Sequence, residues 1–400
     1  MEFMNRLYNQ RGFQMAVLYG RRRVGKTTIL SHFVHDREAV FFAAAETGDR
    51  GNLRRFSRDV LSHFGMADVV SDFADWETAF RFVGKQAAEK RIVLVIDEFP
   101  YLAAGNSGIL SILQNIIDHE WLGGNLFLIL CGSTMRFMEN EVLGYKSPLF
   151  GRRTGQLKIE PFDYWDASAF MGGYSPQERI AAYSVFGGTP HYLSRIDSSI
   201  SLADNIMRCF LERGAYLYDE PVSILKQEMR EPALYNALIE VIANGATRLN
   251  EIATKVGEDS NKCAKYINAL IGLGFLEKET PYGAKETGRR SLYCIRDPFF
   301  SFWYRFVFPN MSLIEAEMGG HVLEQRILPE LDSFTGRLFE QVCREFYGAE
   351  IVRGNYRLYL KRLGGLGVPI CRTKRSMKSI SLRAIRMHSC SASANGGMSP

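Results

Sequence analysis

Several things are missing from this chain of 400 residues, and each absence closes off a class. Its seven cysteines, at 131, 209, 263, 294, 343, 371 and 390, never form a C-x-x-C pair, so neither a zinc site nor a disulfide framework is indicated. His32 and His35 lie three apart, a pair too small by itself to indicate a metal site. No apolar run approaches the roughly 18 residues of a membrane span, and the charged-then-apolar layout of a signal peptide is absent; no membrane is expected, and the cytoplasm is the expected compartment. Acidic residues are absent from one stretch. Residues 351–400 hold ten of the 49 Lys and Arg and none of the 44 Asp and Glu, so the net charge of +5 belongs to the tail. What is present is 46% hydrophobic content, enough for two or three domains with their own cores.

The most specific motif is Gly20-Arg21-Arg22-Arg23-Val24-Gly25-Lys26-Thr27. Residues 15–19 before it predict a buried strand and residues 28–33 after it a helix, which is the setting a phosphate-binding loop needs. Glycines let backbone amides curl round a phosphate, and the helix N-terminus adds its partial positive charge. Lys26 is expected to reach the β and γ phosphates and the Thr27 hydroxyl to ligand Mg²⁺, with residues 20–27 and Thr28 binding the nucleotide.

Residues 91–98 form an apolar run ending in Asp97 and Glu98, and a strand apolar on both faces belongs inside a parallel sheet. Asp97 is placed to hold Mg²⁺ through water, and Glu98 to orient and deprotonate the attacking water. The plainer alternative is that both acids merely open a polar loop. A third strand over 125–133 ends in Ser133, expected near the γ phosphate as a sensor. Downstream, Arg152 and Arg153 fall on a loop, and either could be an arginine finger for its own or a neighbouring subunit of a homo-oligomer; a solvated basic turn is the alternative.

Together, Tyr19 with the phosphate loop, Ile96-Asp97-Glu98, Cys131-Gly132-Ser133, Gly151-Arg152-Arg153 and Gly187-Gly188-Thr189-Pro190-His191-Tyr192-Leu193 resemble the archaeal-type ATPases. These are P-loop proteins of the AAA+ and STAND neighbourhood, and the first two segments resemble their Walker A and Walker B motifs. The resemblance covers about residues 5–349 and implies ATP as the nucleotide; no Asn-Lys-x-Asp box for guanine is present. It also implies that the Gly-Gly-x-Pro segment links the nucleotide domain to a winged helix, with Pro190 helping to sense the base; a helix-terminating turn is the alternative. Family members carry an Arg-Glu box before the first strand. Only residues 1–8 stand there, so the chain is expected to be clipped at its start.

In the second half, residues 231–245 and 249–257 predict two helices, and Ser260 is expected to cap a third from 261 to 273. Residues 275–279 and 291–295 predict two strands, completing a winged helix. Lys262, Lys265, Asn268, Lys278, Lys285, Arg289 and Arg290 would offer duplex DNA a phosphate-contacting face; the alternative is an internal lever against the nucleotide domain. The aromatic segment 297–309 is expected to be core rather than a base-stacking surface. After Gly336-Arg337-Leu338-Phe339-Glu340 the resemblance implies a nuclease-like region of the PD-(D/E)XK type, yet the acid-free tail stands in its place. A reading-frame shift near residue 350 accounts for this: codons begun at the third base force Glu from Met377-Lys378 and permit Ile-Asp-Ile, then Glu-Cys-Lys-Trp. A natural basic tail that contacts nucleic acid is the alternative.

The expected organisation is an α/β P-loop NTPase with a parallel sheet and flanking helices over 1–160, and a helical lid or linker over 161–226. A winged helix over 227–297, a nuclease-like remnant over 298–349 and a disordered or non-native tail over 350–400 follow. The expected function is ATP hydrolysis with Mg²⁺, coupled to the winged helix. A nucleotide-gated DNA-binding regulator with negligible turnover and a non-functional gene remnant are the alternatives.

Overall fold

The computed structural model describes residues 1–229, 231–279 and 291–352. Lys285, Arg289, Arg290 and the tail from residue 353, with all the codon signatures, lie outside the described residues. The chain forms two compact units, Met1–Pro161 and Phe162–Pro400.

The first unit is built on five parallel strands, β1 (Gln14–Tyr19), β2 (Ala39–Ala43), β3 (Ile92–Asp97), β4 (Leu126–Gly132) and β5 (Gly155–Lys158), ordered β2-β3-β4-β1-β5. Every residue of β1, β3 and β4 is buried, because these strands carry apolar side chains on both faces and are covered on both. Registers such as Val17 opposite Leu130 and Val95 opposite Ile129 bring the strand ends level. The helices are α1 (Glu2–Tyr8), α2 (Lys26–Val34), α3 (Asp49–His63), α4 (Trp76–Glu89), α5 (Phe99–Gly105) and α6 (Ile109–Ile116). Met4 and Leu7 of α1 and Leu30 and Phe33 of α2 pack with Leu18, Val95, Phe127 and Ile129 in one core cluster. This is the α/β P-loop NTPase fold. Since β1 and β3 both border β4, the segments that follow these three strands emerge side by side at the carboxyl edge of the sheet.

In the second unit, Ser175 opens the helix Pro176–Phe186 with a reciprocal cap to Glu178. Helices Pro232–Ala243, Leu249–Val256 and Ser260–Gly272 precede β6 (Leu276–Glu279) and β7 (Leu292–Ile295), which pair antiparallel with Leu276 opposite Ile295. The third helix is capped by Asp259, not Ser260: its carboxylate accepts the amides of Asn261 and Lys262 at 2.8 and 3.2 Å. Ser260 becomes the first helical residue, because one oxygen of the aspartate already serves both orphan donors. Phe299, Phe300, Phe302, Trp303, Tyr304 and Phe306 are all buried, and Phe300 stacks on Phe275 at 4.3 Å, so this aromatic segment is core. The helix Leu328–Val352 carries the chain through residues 336–340 and past residue 350, where the tail was expected to begin. Among the described residues, no helix is long and apolar enough to cross a membrane.

Candidate functional site

The loop after β1 turns tightly against its neighbour strand. A Cβ on Gly20 would stand 2.3 Å from the Ile159 carbonyl oxygen, so only glycine fits there. Arg23 and Gly25 adopt positive φ, 69° and 89°, the left-handed turns from which backbone anion nests are built. α2 begins at Lys26 itself, two residues earlier than the sequence suggested, so lysine and threonine occupy its first turn. Lys26 is only 5% exposed, and its ammonium donates to the carbonyls of Gly20 at 2.9 Å and Arg21 at 2.8 Å. A buried cation folded back on its own loop is a group positioned for an anion.

Across from it, the Thr27 hydroxyl donates to Asp97 Oδ2 at 2.8 Å. Asp97, buried at the end of β3, accepts the Glu98 amide on Oδ1 at 2.9 Å. Glu98 itself stands at φ 50°, a left-handed conformation uncommon outside glycine, and its carboxylate accepts the Ser133 hydroxyl at 2.6 Å. Ser133 follows β4, so residues from the ends of three adjacent strands converge. Cys131, on β4, is an inert thiol: burial, then the Asp97 charge, push its pKa well up. Gly132 is required beside it, since a Cβ would lie 2.6 Å from Met138 Sδ and 2.7 Å from Pro100 Cδ.

The structure thus gathers Lys26, Thr27, Asp97, Glu98 and Ser133 as the sequence suggested. The arginines divide. Arg152 grips Asp118 with Nε at 2.7 Å and Nη2 at 2.5 Å, and also donates to the Pro148 carbonyl. The Arg152 hydrogen bond holds Asp118 below the ordinary carboxylate range, so this guanidinium serves a local ion pair. Arg153 donates to the Leu143 carbonyl at 3.0 Å and lies near enough to Tyr19 to oppose the upward push of burial, Glu139 and Glu160 on that phenol. Arg22 Nη2 donates to the Tyr101 hydroxyl at 2.8 Å, a partner that no sequence pattern marked. Tyr101 also lines a cleft of about 580 Å³ with Thr47, Pro100, Ala104, Thr134 and Phe137. Pro190 belongs to the second unit, where it opens the one-turn helix Pro190–Leu193. The glycine before that turn has a packing reason: a Cβ on Gly188 would strike the Phe162 carbonyl oxygen at 1.8 Å.

The donor set suits the ligands that the loop implies. A hydroxyl and a carboxylate held together are hard oxygen ligands of the kind Mg²⁺ takes, and a buried ammonium beside an amide nest suits a polyphosphate.

Residues 1–196 match a family described as an ATPase domain predominantly from Archaea. Residues 303–365 match archaeal and bacterial proteins of unknown function. An uncharacterized protein of Methanocaldococcus jannaschii is 32% identical over 348 residues, which is 86% of this chain and 75% of that one. Among solved structures, a Walker-type ATPase of Pyrococcus abyssi shares the fold with a TM-score of 0.54 at 19% identity, over 76% of this chain and 93% of its own. Identity at this level across three quarters of the relative, joined to the domain match on the phosphate-binding half, means that the chain belongs to the P-loop ATPase family found predominantly in Archaea.

Proposed function

We propose that the protein hydrolyses ATP with Mg²⁺ and couples its nucleotide state to a winged helix in its second unit. The observation that carries the reading is the meeting of Thr27 with Asp97 and of Glu98 with Ser133 beside the Lys26 ammonium. Lys26 and the amide nest would hold the phosphates, and Thr27 with Asp97 would hold the cation. Bound Mg²⁺ would neutralise phosphate charge. Glu98, the nearby carboxylate not engaged by Thr27, orients the attacking water and takes its proton. Ser133 holds Glu98 in this state and would sense the γ phosphate by exchanging that bond.

The helices Pro232–Ala243, Leu249–Val256 and Ser260–Gly272 with the β6–β7 pair have the element order of a winged helix. Lys262, on its expected DNA face, is paired with Glu258 at 2.9 Å, and residues 227–297 hold ten acidic and ten basic side chains. A domain that binds duplex phosphates carries a clear basic excess. We therefore favour the lever over the DNA reader; duplex DNA that changes turnover or binds with a steep salt dependence would reverse this choice. The nuclease-like continuation is a proposal about the gene. Codons compatible with Ile-Asp-Ile and Glu-Cys-Lys in a displaced frame motivate it; a gene sequence that carries that frame near codon 350 would support it, and one without it removes it.

The test is steady-state ATP turnover with and without Mg²⁺. Lys26→Ala should lose nucleotide binding, while Glu98→Gln should bind ATP and not turn it over. Turnover unchanged in both variants ends the assignment. A second reading, a nucleotide-gated latch, is favoured by the Ser133 hold on Glu98; wild-type turnover well below about one per minute, with tight ATP binding, would select it.

A further inference from the structure

We infer that Arg22 supplies, from inside the phosphate loop, the positive charge on the attacking side of the γ phosphate that an arginine finger would otherwise bring. The inference rests on the hydrolysis reading above. Arg22 is tethered by the Tyr101 hydroxyl at 2.8 Å, and the Tyr101 amide in turn donates to the Glu98 carbonyl at 2.9 Å. Tyr101 therefore lies in the first turn of the helix Phe99–Gly105, whose N-cap is Glu98. The tether joins the guanidinium to the helix that directly follows the carboxylate proposed to handle the attacking water. Its Nε is buried with no hydrogen-bond partner among the described residues, and no carboxylate there pairs with this side chain. A buried guanidinium N–H left unsatisfied is costly, and a phosphate oxygen is an acceptor that would complete it. The other two candidates are committed, Arg152 to Asp118 and Arg153 to the Leu143 carbonyl. Arg22 combines a place in the phosphate loop, a tether to the helix Phe99–Gly105 that follows Glu98, and an unfilled donor.

Charge that acts only on the transferred phosphoryl group changes turnover more than ground-state binding. The experiment measures ATP turnover, and separately calorimetric affinity for ADP and for ADP with aluminium fluoride, a mimic of the transferring phosphoryl group, in the full chain. Wild type is compared with Arg22→Ala, Arg22→Lys and Tyr101→Phe. Arg22→Ala should lower kcat by about a hundredfold or more, leave ADP affinity within about threefold, and abolish the extra affinity conferred by aluminium fluoride. Arg22→Lys, which keeps a point charge and loses the fork, should recover part of the loss. Tyr101→Phe frees the tether and should lower kcat about tenfold with KM little changed. Arg22→Ala turning over within about threefold of wild type, or keeping the aluminium fluoride preference, overturns the inference. If wild type does not turn over, hydrolysis fails as the function, and the analogue preference alone decides for or against Arg22. Should Arg22→Ala fold poorly, the lysine and phenylalanine variants carry the same comparison.

Discussion

Thr27 and Asp97, 70 positions apart in the chain, are joined by a 2.8 Å hydrogen bond that ties the phosphate loop to the end of β3. The bond aligns two hard oxygen donors before any cation arrives. Thr27→Val keeps the shape of the side chain but removes the hydroxyl, which leaves a buried carboxylate oxygen without its donor and a cation without one ligand. Mg²⁺-dependent ATP affinity should fall about tenfold or more, while Thr27→Ser should restore most of it. Calorimetric titration with and without Mg²⁺ reads the difference; equal Mg²⁺ dependence in all three proteins would show that the pair holds no cation.

Gly20 is the position where the loop passes closest to the sheet. A Cβ there would stand 2.3 Å from the Ile159 carbonyl, and that backbone is itself held, since the Ile159 amide donates to Tyr19 at 2.7 Å. Gly20→Ala should therefore destabilise the first unit by about 1–3 kcal/mol, because neither strand can give way. Gly172→Ala is the control, with nothing within 4 Å of the added Cβ. Thermal unfolding distinguishes them: a clear drop in Tm at position 20 and little change at 172.

Arg152 bonds Asp118 through two nitrogens. Because the aspartate's pKa is lowered in the folded protein, chiefly by that hydrogen bond, its contribution is complete above the unfolded carboxylate pKa and is lost as pH falls through the depressed value. Arg152→Ala should lower stability by about 1 kcal/mol at neutral pH. The gap in Tm from wild type should close as pH drops below the ordinary carboxylate range. A turnover defect with unchanged Tm would instead return Arg152 to the role of finger.

How far the site could be read from sequence follows from where its residues stand. Asp97 closes one strand that is apolar on both faces, Glu98 and Ser133 directly follow two such strands, and Lys26 and Thr27 end the glycine-bounded loop after a third, so the patterns that mark the strands also mark the site. The edge strands β2 and β5 are short and half exposed, and their alternation is too weak to stand out. Asp118 lies 34 residues before Arg152 in a helical stretch with no motif, so the capture of that arginine depends on the fold alone. The same holds for Tyr101, which meets Arg22 across 79 positions. Asp259 and Ser260 are both good helix caps one residue apart, a choice that only the local backbone decides.

Phe300 tests the aromatic segment. Its ring is fully buried and stacks on Phe275 at 4.3 Å, with Phe299 and Tyr304 also in contact range, so it fills the second unit rather than presenting a face to bases. Removing a buried phenylalanine loses its transfer free energy and leaves a cavity that close-packed neighbours fill only in part. Phe300→Ala should cost about 3–5 kcal/mol, seen as a lower denaturation midpoint, or as loss of a folded second unit under limited proteolysis. Phe300→Leu, which keeps most of the volume, should recover much of this stability. A stacking surface would behave oppositely, with weakened single-strand binding and an unmoved midpoint, since an exposed ring contributes to the ligand and not to the fold.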